Sequence, residues 1–448
     1  MDYQSFKLAV IAEAKALGIA EYELYYQSGA DTSIGVFRDE INEFSSSEGG
    51  CVCFRCILQG KMGYASTQAM NESEAKAIVS RAADNAAALE TEEAVFLCEG
   101  GKEYKALTVK PYALPSTEEL IDTALETQKK IYAADPMVID GCQTEVISEH
   151  SEVAIYNSKG LDLRYENNIS GLVVAAVVSN GKEMSDSYEI RLGKLDTIDT
   201  DAMVKKAVSD AKLKLGGEPP VSGAMPVVFS PEAMSSMLGV FSSIFSSENA
   251  QKGLSRLAGK EDEVIASENV TLVDDPFHPQ NPAPMNFDGE GCPTCTKNVI
   301  ENGILKTLLY NMKTANLAGR ETTGNASKAG YDAPVGIRPF TMYLRGGDIT
   351  ETQLLKQADK GVYITGLGGL HAGANAISGD FSLQSSGFWI EGGEKKAYIK
   401  SFTVAGNFYE LLKNITALAN NVTLPRAMGP TAFGAPSVLV SGLTVAGK

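Results

Sequence analysis

Cysteine, histidine and positive charge are all scarce in this chain. Seven cysteines among 448 residues are too few, and odd in number, for a disulfide scaffold; such usage fits a reducing compartment. Three histidines, His150, His278 and His371, include no pair spaced to set two imidazoles on one helical face, so helical zinc motifs are missing. Lys and Arg number 39 against 56 Asp and Glu, a net charge of −17. Direct nucleic-acid binding needs clustered cations to displace counterions, and an anionic membrane needs the same, so both are disfavoured. An acidic surface is read as a solubility feature. The most apolar run, residues 172–178, is far short of the roughly 20 residues that cross a bilayer. The opening Met1-Asp2-Tyr3-Gln4-Ser5-Phe6-Lys7 has no basic stretch followed by an apolar one, so no export signal is expected and the expected location is cytoplasmic. There is no G-x-S-x-G elbow. Residues 253–260 imitate a phosphate-binding loop, but five residues separate its glycines where the motif has four, which misplaces the phosphate-cradling amides.

What is present is a pattern of helices and short strands. Apolar residues and strong helix formers over 5–17, with Gly18 beyond them, predict a first helix. Strand-like runs at 21–26, 32–37, 40–44 and 51–58, separated by turn residues such as Gly29-Ala30-Asp31 and Gly49-Gly50, predict a meander. Asn71 with Glu74, and Ser116 with Glu119, have capping-box spacing ahead of helices to about 89 and 133. Strands over 145–191 turn at Ser158-Lys159-Gly160 and Asn180-Gly181, and a helix covers 201–215. Gly216-Gly217-Glu218-Pro219-Pro220 marks the boundary between two domains, 1–220 and 221–448. The second opens with a strand at 225–229, then Ser230 and Pro231 start a helix to about 247; later helices fall near 352–360 and 408–420. The expected fold class is α+β: two domains with mostly antiparallel sheets and flanking helices.

Candidate chemistry is dispersed. Cys292-Pro293-Thr294-Cys295 could be half a zinc site or a redox pair. Cys51, Cys53 and Cys56 could complete a zinc site only from a distant strand, where Cys51 and Cys53 share one face and Cys56 the other. His371, in a glycine-rich stretch, could act as a base with Asp380. With Cys292 or Cys295 these would make a thiol hydrolase, although spacing alone does not support it. Asp288 with Glu290, and Asp274 with Asp275, could bind a cation or serve acid–base work, against a plain reading as turn residues. Met234, Met237, Leu238, Phe241, Ile244 and Phe245 form a helical stripe best read as core.

Across almost the whole chain, the order and spacing of several short stretches resemble the TldD/PmbA family, specifically its PmbA (TldE) branch. They include Ser255-Arg256-Leu257-Ala258-Gly259-Lys260, Thr271-Leu272-Val273-Asp274-Asp275-Pro276, Phe287-Asp288-Gly289-Glu290-Gly291 and Glu301-Asn302-Gly303. They continue with Thr323-Gly324-Asn325-Ala326, Ser378-Gly379-Asp380-Phe381-Ser382, Trp389-Ile390-Glu391-Gly392-Gly393-Glu394 and Ala405-Gly406-Asn407-Phe408. The first half adds Arg38-Asp39-Glu40-Ile41-Asn42-Glu43-Phe44. The resemblance implies a two-domain subunit of a cytoplasmic metallopeptidase, a family also labelled "modulator of DNA gyrase". In that family the TldD-type subunit carries HExxxH on the helix opening the second domain and a later cysteine ligand. Here the matching stretch reads Gly239-Val240-Phe241-Ser242-Ser243-Ile244, and residues 421–448 contain no cysteine.

No catalytic or metal-binding residue therefore carries over. The chain is expected to hold no cofactor of its own, with zinc in a partner subunit. Its implied role is to help dimerise, as a homodimer or with a TldD-type subunit, and to position unfolded or flexible polypeptide. Candidate pocket or substrate-contact residues are Asp288, Glu290, Asn325, His371 and Asp380. The alternatives are an autonomous hydrolase built from Cys292, Cys295, His371, Asp288, Glu290 and Asp380, and a non-catalytic regulatory binding protein.

Overall fold

The computed structural model describes residues 1–91, 93–108, 111–424 and 431–448. Helix α1 (Tyr3–Ala16) begins where Asp2 accepts a hydrogen bond from the Ser5 amide, and the chain leaves it through Gly18 at φ +70°. Two long strands follow, β1 (Glu21–Phe37) and β2 (Glu40–Leu58). The four shorter strands expected here are thus two. Gly29 pairs with Gly49, and Ala30 with Glu48, inside one antiparallel ladder. Small and polar residues end a strand only when their backbone groups lack partners, and here β1 is paired on both sides, by β2 and by β4 (Gln143–Asn157).

Strand β3 (Lys61–Thr67) leads to α2 (Glu72–Ala88), capped by Asn71, and α3 (Thr117–Ala134) starts in the full Ser116–Glu119 capping box. Strands β5 (Asp162–Ser179) and β6 (Met184–Leu192) and helix α4 (Thr200–Leu213) complete this half. Its single sheet has the order β3-β2-β1-β4-β5-β6, antiparallel throughout. Period-two alternation divides its chemistry. Leu24, Tyr26, Phe54 and Cys56 pack with α1 and α2, and Ile34, Val146 and Val174 pack with α3 and α4. The intervening residues Glu23, Tyr25, Cys53 and Arg55 fall on the opposite face.

The second half opens with β7 (Gly223–Phe229) and α5 (Pro231–Phe241), capped by Ser230. The expected single helix to 247 is broken: a 3₁₀ turn (Ser242–Phe245) intervenes, and extended Ser246 caps a new short helix, α6 (Ser247–Gln251). A five-stranded sheet joins β8 (Leu272–Asp274), β9 (Lys297–Glu301), β10 (Ile304–Leu305), β13 (Thr341–Leu344) and β18 (Ala432–Gly434). Helix α7 (Met312–Leu317) and a small pair, β11 (Ala326–Lys328) and β12 (Val335–Ile337), lie between β10 and β13 in the chain. A six-stranded sheet joins β14 (Lys360–Gly368), β15 (Asp380–Glu391), β16 (Glu394–Asn407), β17 (Ile415–Leu418) and β19 (Val438–Ala446) to β7. An added β16–β19 pairing closes five of these strands into a ring.

Helix α8 (Glu351–Ala358) precedes β14, and α9 (Leu370–Gly373) lies between β14 and β15. Helix α10 (Phe408–Lys413) is much shorter than the helix expected over 408–420. The β-branched residues after it instead form β17, paired with β19. The fold is α+β in both halves and mostly antiparallel; among the described strand pairs only β7–β14 and β13–β18 run parallel. No described helix is long and apolar enough to cross a membrane.

Candidate functional site

The polar face of the first sheet meets the second half at the loop 287–292. Phe287 enters a core with Tyr25, Cys53, Ile155, Leu161 and Tyr165. The loop is then tied by one side chain. Asp288 Oδ1 accepts the amides of Glu290 and Cys292, each at 2.9 Å, and its Oδ2 accepts the Ala326 amide at 3.0 Å. Gly291 is required here: its φ is +80°, and an added Cβ would lie 2.3 Å from Leu161 Cδ2. Burial, and then the neighbouring Glu290, push the Asp288 carboxyl well up, against the three amides that favour its charge. Glu290 Oε2 accepts the Met312 amide at 2.9 Å. Burial raises the Glu290 carboxyl as well, with the Arg55 cation opposing.

Arg55 and Glu23 form an ion pair across β1 and β2 with side chains 3% and 0% exposed and 2.7 Å between Nη2 and Oε1. Burial disfavours the guanidinium charge, but the Glu23 carboxylate overrides it and Arg55 is held up. Lys328 sits 4.2 Å from the centre of the Tyr25 ring, its pKa lowered mainly by burial.

Asn325, 0% exposed, anchors an adjoining network. Its Nδ2 donates to Asp274 Oδ2 at 2.8 Å and to the Arg338 carbonyl at 3.0 Å. Its Oδ1 accepts from Lys297 Nζ at 3.0 Å and Thr323 Oγ1 at 2.8 Å. Asp274, read from sequence as a turn residue, is instead the buried end of β8, paired with Lys297 at 3.2 Å. β-Pairing and this buried cation outweigh its turn preference.

Asp288, Glu290 and Asn325 thus come together, in adjoining networks linked through Ala326. The other two candidates stand apart from them and from each other. His371 is exposed on α9, and its side chain makes no hydrogen bond or ion pair among the described residues. Asp380 is exposed at the start of β15 and accepts from Asn407 Nδ2 at 2.8 Å; that bond, then one from Ser378, holds its pKa down. The cysteine pattern also separates. Cys295 is exposed, while Cys292 is buried with its Sγ 2.9 Å from that of Cys98. No hydrogen bond joins His371 to Asp380 or to either cysteine of the pattern, so the thiol-hydrolase arrangement is not assembled. Glu23, Arg55, Lys297, Lys328 and Cys98 belong to this junction and were not singled out from the sequence.

In the stretch 239–244, Phe241 and Ile244 are buried core and Ser243 is exposed. Phe241 stacks on Phe408 at 4.4 Å between ring centres and meets Phe381 edge-on at 6.2 Å. An added Cβ on Gly239 would lie 3.4 Å from the Phe433 ring, and Ile244 is 1% exposed. Zinc does not fit this donor set: the six residues offer carbon and two serine hydroxyls. Among the described residues no group of three or more His, Cys, Asp and Glu side chains is placed to hold a metal ion. Residues 425–430, part of the 421–448 stretch compared with the cysteine ligand of the TldD branch, lie outside the described residues.

Three family models match in chain order. They are domain 1 of the PmbA/TldA metallopeptidases over residues 22–86, their central domain over 110–215 and their C-terminal domain over 222–447. The chain belongs to the PmbA/TldD metallopeptidase family. Its fold is shared with a crystal structure from Thermotoga maritima described as a modulator of a DNA gyrase: TM-score 0.89, 30% identity, 99% of this chain and 100% of that one covered. TldE from Thermococcus kodakarensis is similar at TM-score 0.86 and 26% identity, covering 98% and 99%. A metalloprotease PmbA homologue of Haemophilus influenzae is 25% identical over 94% of this chain and 91% of its own. Within this PmbA/TldD-family chain, the boundary between the second and third family domains falls in the Gly- and Pro-rich stretch 216–221.

Proposed function

We propose that this chain is a PmbA/TldE-type subunit that works beside a zinc-bearing TldD-type relative, positioning unfolded or flexible polypeptide that the partner's metal centre cleaves. The observation that carries this reading is the stretch 239–244, which has no His, Cys, Asp or Glu. Zinc-dependent hydrolysis needs ligands for a metal that polarises the carbonyl and acidifies a water, and a base for the proton. The chain holds no cofactor of its own in this reading, and zinc belongs to the partner.

A second feature supports the positioning role. Strand β3 pairs only with Val52–Leu58 of β2, and β2 is exposed from Glu40 to Gly49. This half of β2 is an open edge. An edge strand can take an extended segment through main-chain hydrogen bonds, which suits a flexible polypeptide of any sequence or a strand of a partner subunit.

The test is cleavage of an unstructured polypeptide by the untagged chain alone, by a zinc-loaded TldD-type relative alone, and by the two mixed. The expected result is no cleavage by this chain alone and cleavage by the mixture that exceeds the relative alone and is abolished by a chelator. Cleavage by this chain alone at the rate of the mixture would overturn the reading.

A further inference from the structure

Cys98 and Cys292 are 194 residues apart in the chain, yet the Cys292 thiol donates to Cys98 Sγ at 2.9 Å, with both residues 0% exposed. A disulfide bond is about 2.05 Å long, so less than about 1 Å of sulfur movement separates the contact from a bond. No other pair of cysteines makes such a contact. Cys51 donates instead to the Gln27 carbonyl and Cys142 to the Ile139 carbonyl, while Cys295 is exposed.

The contact lies where three parts of the molecule meet. Cys98 belongs to the segment 93–108, which has neither helix nor strand. On one side this segment is tied to the β4–β5 turn: Asn157 Nδ2 donates to the Cys98 carbonyl at 2.7 Å, and the Gly100 amide donates to the Lys159 carbonyl at 3.0 Å. On the other side it is tied to the second half of the chain: Tyr104 Oη donates to the Gly291 carbonyl at 2.8 Å, and Asn286 Nδ2 to the Lys105 carbonyl at 3.0 Å. Close packing holds the segment in place, since a Cβ on Gly100 would fall 2.1 Å from the Gly160 carbonyl oxygen. The two sulfurs are therefore fixed opposite each other by four hydrogen bonds and the close packing of the segment, and by the Asp288 ties of the loop.

We propose that Cys98 and Cys292 are an oxidative modification site: a peroxide converts them to a disulfide that staples the segment 93–108 to the loop 287–292. Hydrogen peroxide oxidises the Cys98 thiolate to a sulfenic acid and leaves as hydroxide. The Cys292 sulfur attacks that sulfenic sulfur, its proton and the departing hydroxyl leave as water, and the S–S bond forms. Two thiols lose two electrons and two protons in total, and the peroxide becomes two waters. The direction of attack follows the surroundings. The hydrogen bond from Cys292 and the nearby Lys102 cation lower the Cys98 pKa against its burial, while that same bond and burial push the Cys292 thiol up, so Cys98 is the thiol oxidised first; burial raises Cys51 and Cys56 each to about 11. Lys102, four residues along the segment from Cys98, is itself exposed. This inference is independent of the proposed subunit role.

The test uses the full chain, reduced, freed of reductant and exposed to graded hydrogen peroxide. It is then unfolded in an alkylating agent and mapped by peptide mass spectrometry. The expected product is a Cys98–Cys292 cross-link, with alkylatable thiols falling from seven to five and returning on addition of a dithiol. Cys98→Ser and Cys292→Ser each abolish the cross-link, and Cys295→Ser leaves it. If either serine variant fails to fold, the thiol count of the unaltered chain still decides. A second readout is tryptic cleavage after Lys102 and Lys105, which slows several-fold in the oxidised chain. Seven thiols persisting through the peroxide series, or cross-links running through Cys295 between chains, would overturn the proposal.

Discussion

The helix α5 region and the loop 287–292 invite opposite readings and prove alike in one respect. Residues 239–244 carry no charge and bury Phe241 and Ile244 in the core, with the Phe241 ring stacked on Phe408. The loop carries two nearly fully buried carboxylates, Asp288 and Glu290 at 1% and 5% exposure, beside a buried Glu23–Arg55 pair. Charge density alone would make the loop the reactive centre. Yet the Asp288 oxygens accept three backbone amides and Glu290 accepts the Met312 amide. The Asp288 lone pairs are thus committed to backbone, whereas Glu23 Oε2 in the same cluster is buried with no hydrogen-bond partner among the described residues, and what counts for chemistry is which lone pairs remain uncommitted.

The contrast can be broken from either side. Two changes carry the largest expected effect. Arg55→Met leaves the Glu23 carboxylate buried without its cation and costs about 3–5 kcal/mol in urea unfolding. The paired change Glu23→Gln with Arg55→Met recovers most of that loss, because no bare charge remains. Phe241→Ala opens a cavity under α5 and also costs about 3–5 kcal/mol, but with no dependence on pH. A similar loss at both sites, varying with pH at the Glu23–Arg55 pair and constant with pH at Phe241, would confirm that one region is held by charge and the other by packing.

Glu290→Gln sharpens the same point through pH. The folded chain holds the Glu290 proton more tightly than the unfolded chain does, because burial raises its pKa. Ionising it in the fold therefore costs stability. That cost is absent below the unfolded value of about 4.3 and grows as pH rises to the folded value. The Gln variant should gain on the parent in urea midpoint as pH rises from about 4.5 to 8, keeping the bond from Met312 through its amide oxygen. A difference that shrinks with rising pH would place the carboxylate in a stabilising role. At the small end, Asn71→Ala removes the α2 cap and costs about 1 kcal/mol. His371→Ala stays within about 0.5 kcal/mol, since the imidazole is exposed on α9.

Local signals in the sequence located the capped helices well. Asn71, the Ser116–Glu119 box and Ser230-Pro231 each start a helix where their side chains reach the first free amides. Period-two alternation also placed Cys53 and Cys56 on opposite faces, one against Phe287 and the other against α1 and α2. The division of β1 and β2 into four strands failed because glycine and serine were weighed without the partner strands that satisfy their backbones. Of the candidate site, Asp288, Glu290 and Asn325 were legible as polar residues in family-like stretches. Glu23, Arg55 and Lys328, whose charges act on Glu290, were not, because only the folded chain brings β1, β2 and β11 up to the loop. The link from Cys98 to Cys292 left no local trace, whereas the visible Cys292–Cys295 spacing grouped a buried thiol with an exposed one.

The proposed subunit role requires that this family member carry no metal centre of its own. Elemental analysis of the untagged chain, incubated with zinc and then freed of unbound metal, tests it most directly. The predicted result is zinc near zero per chain, unchanged by prior reduction of the cysteines. One tightly held zinc per chain, accompanied by peptide hydrolysis without a partner, would contradict it.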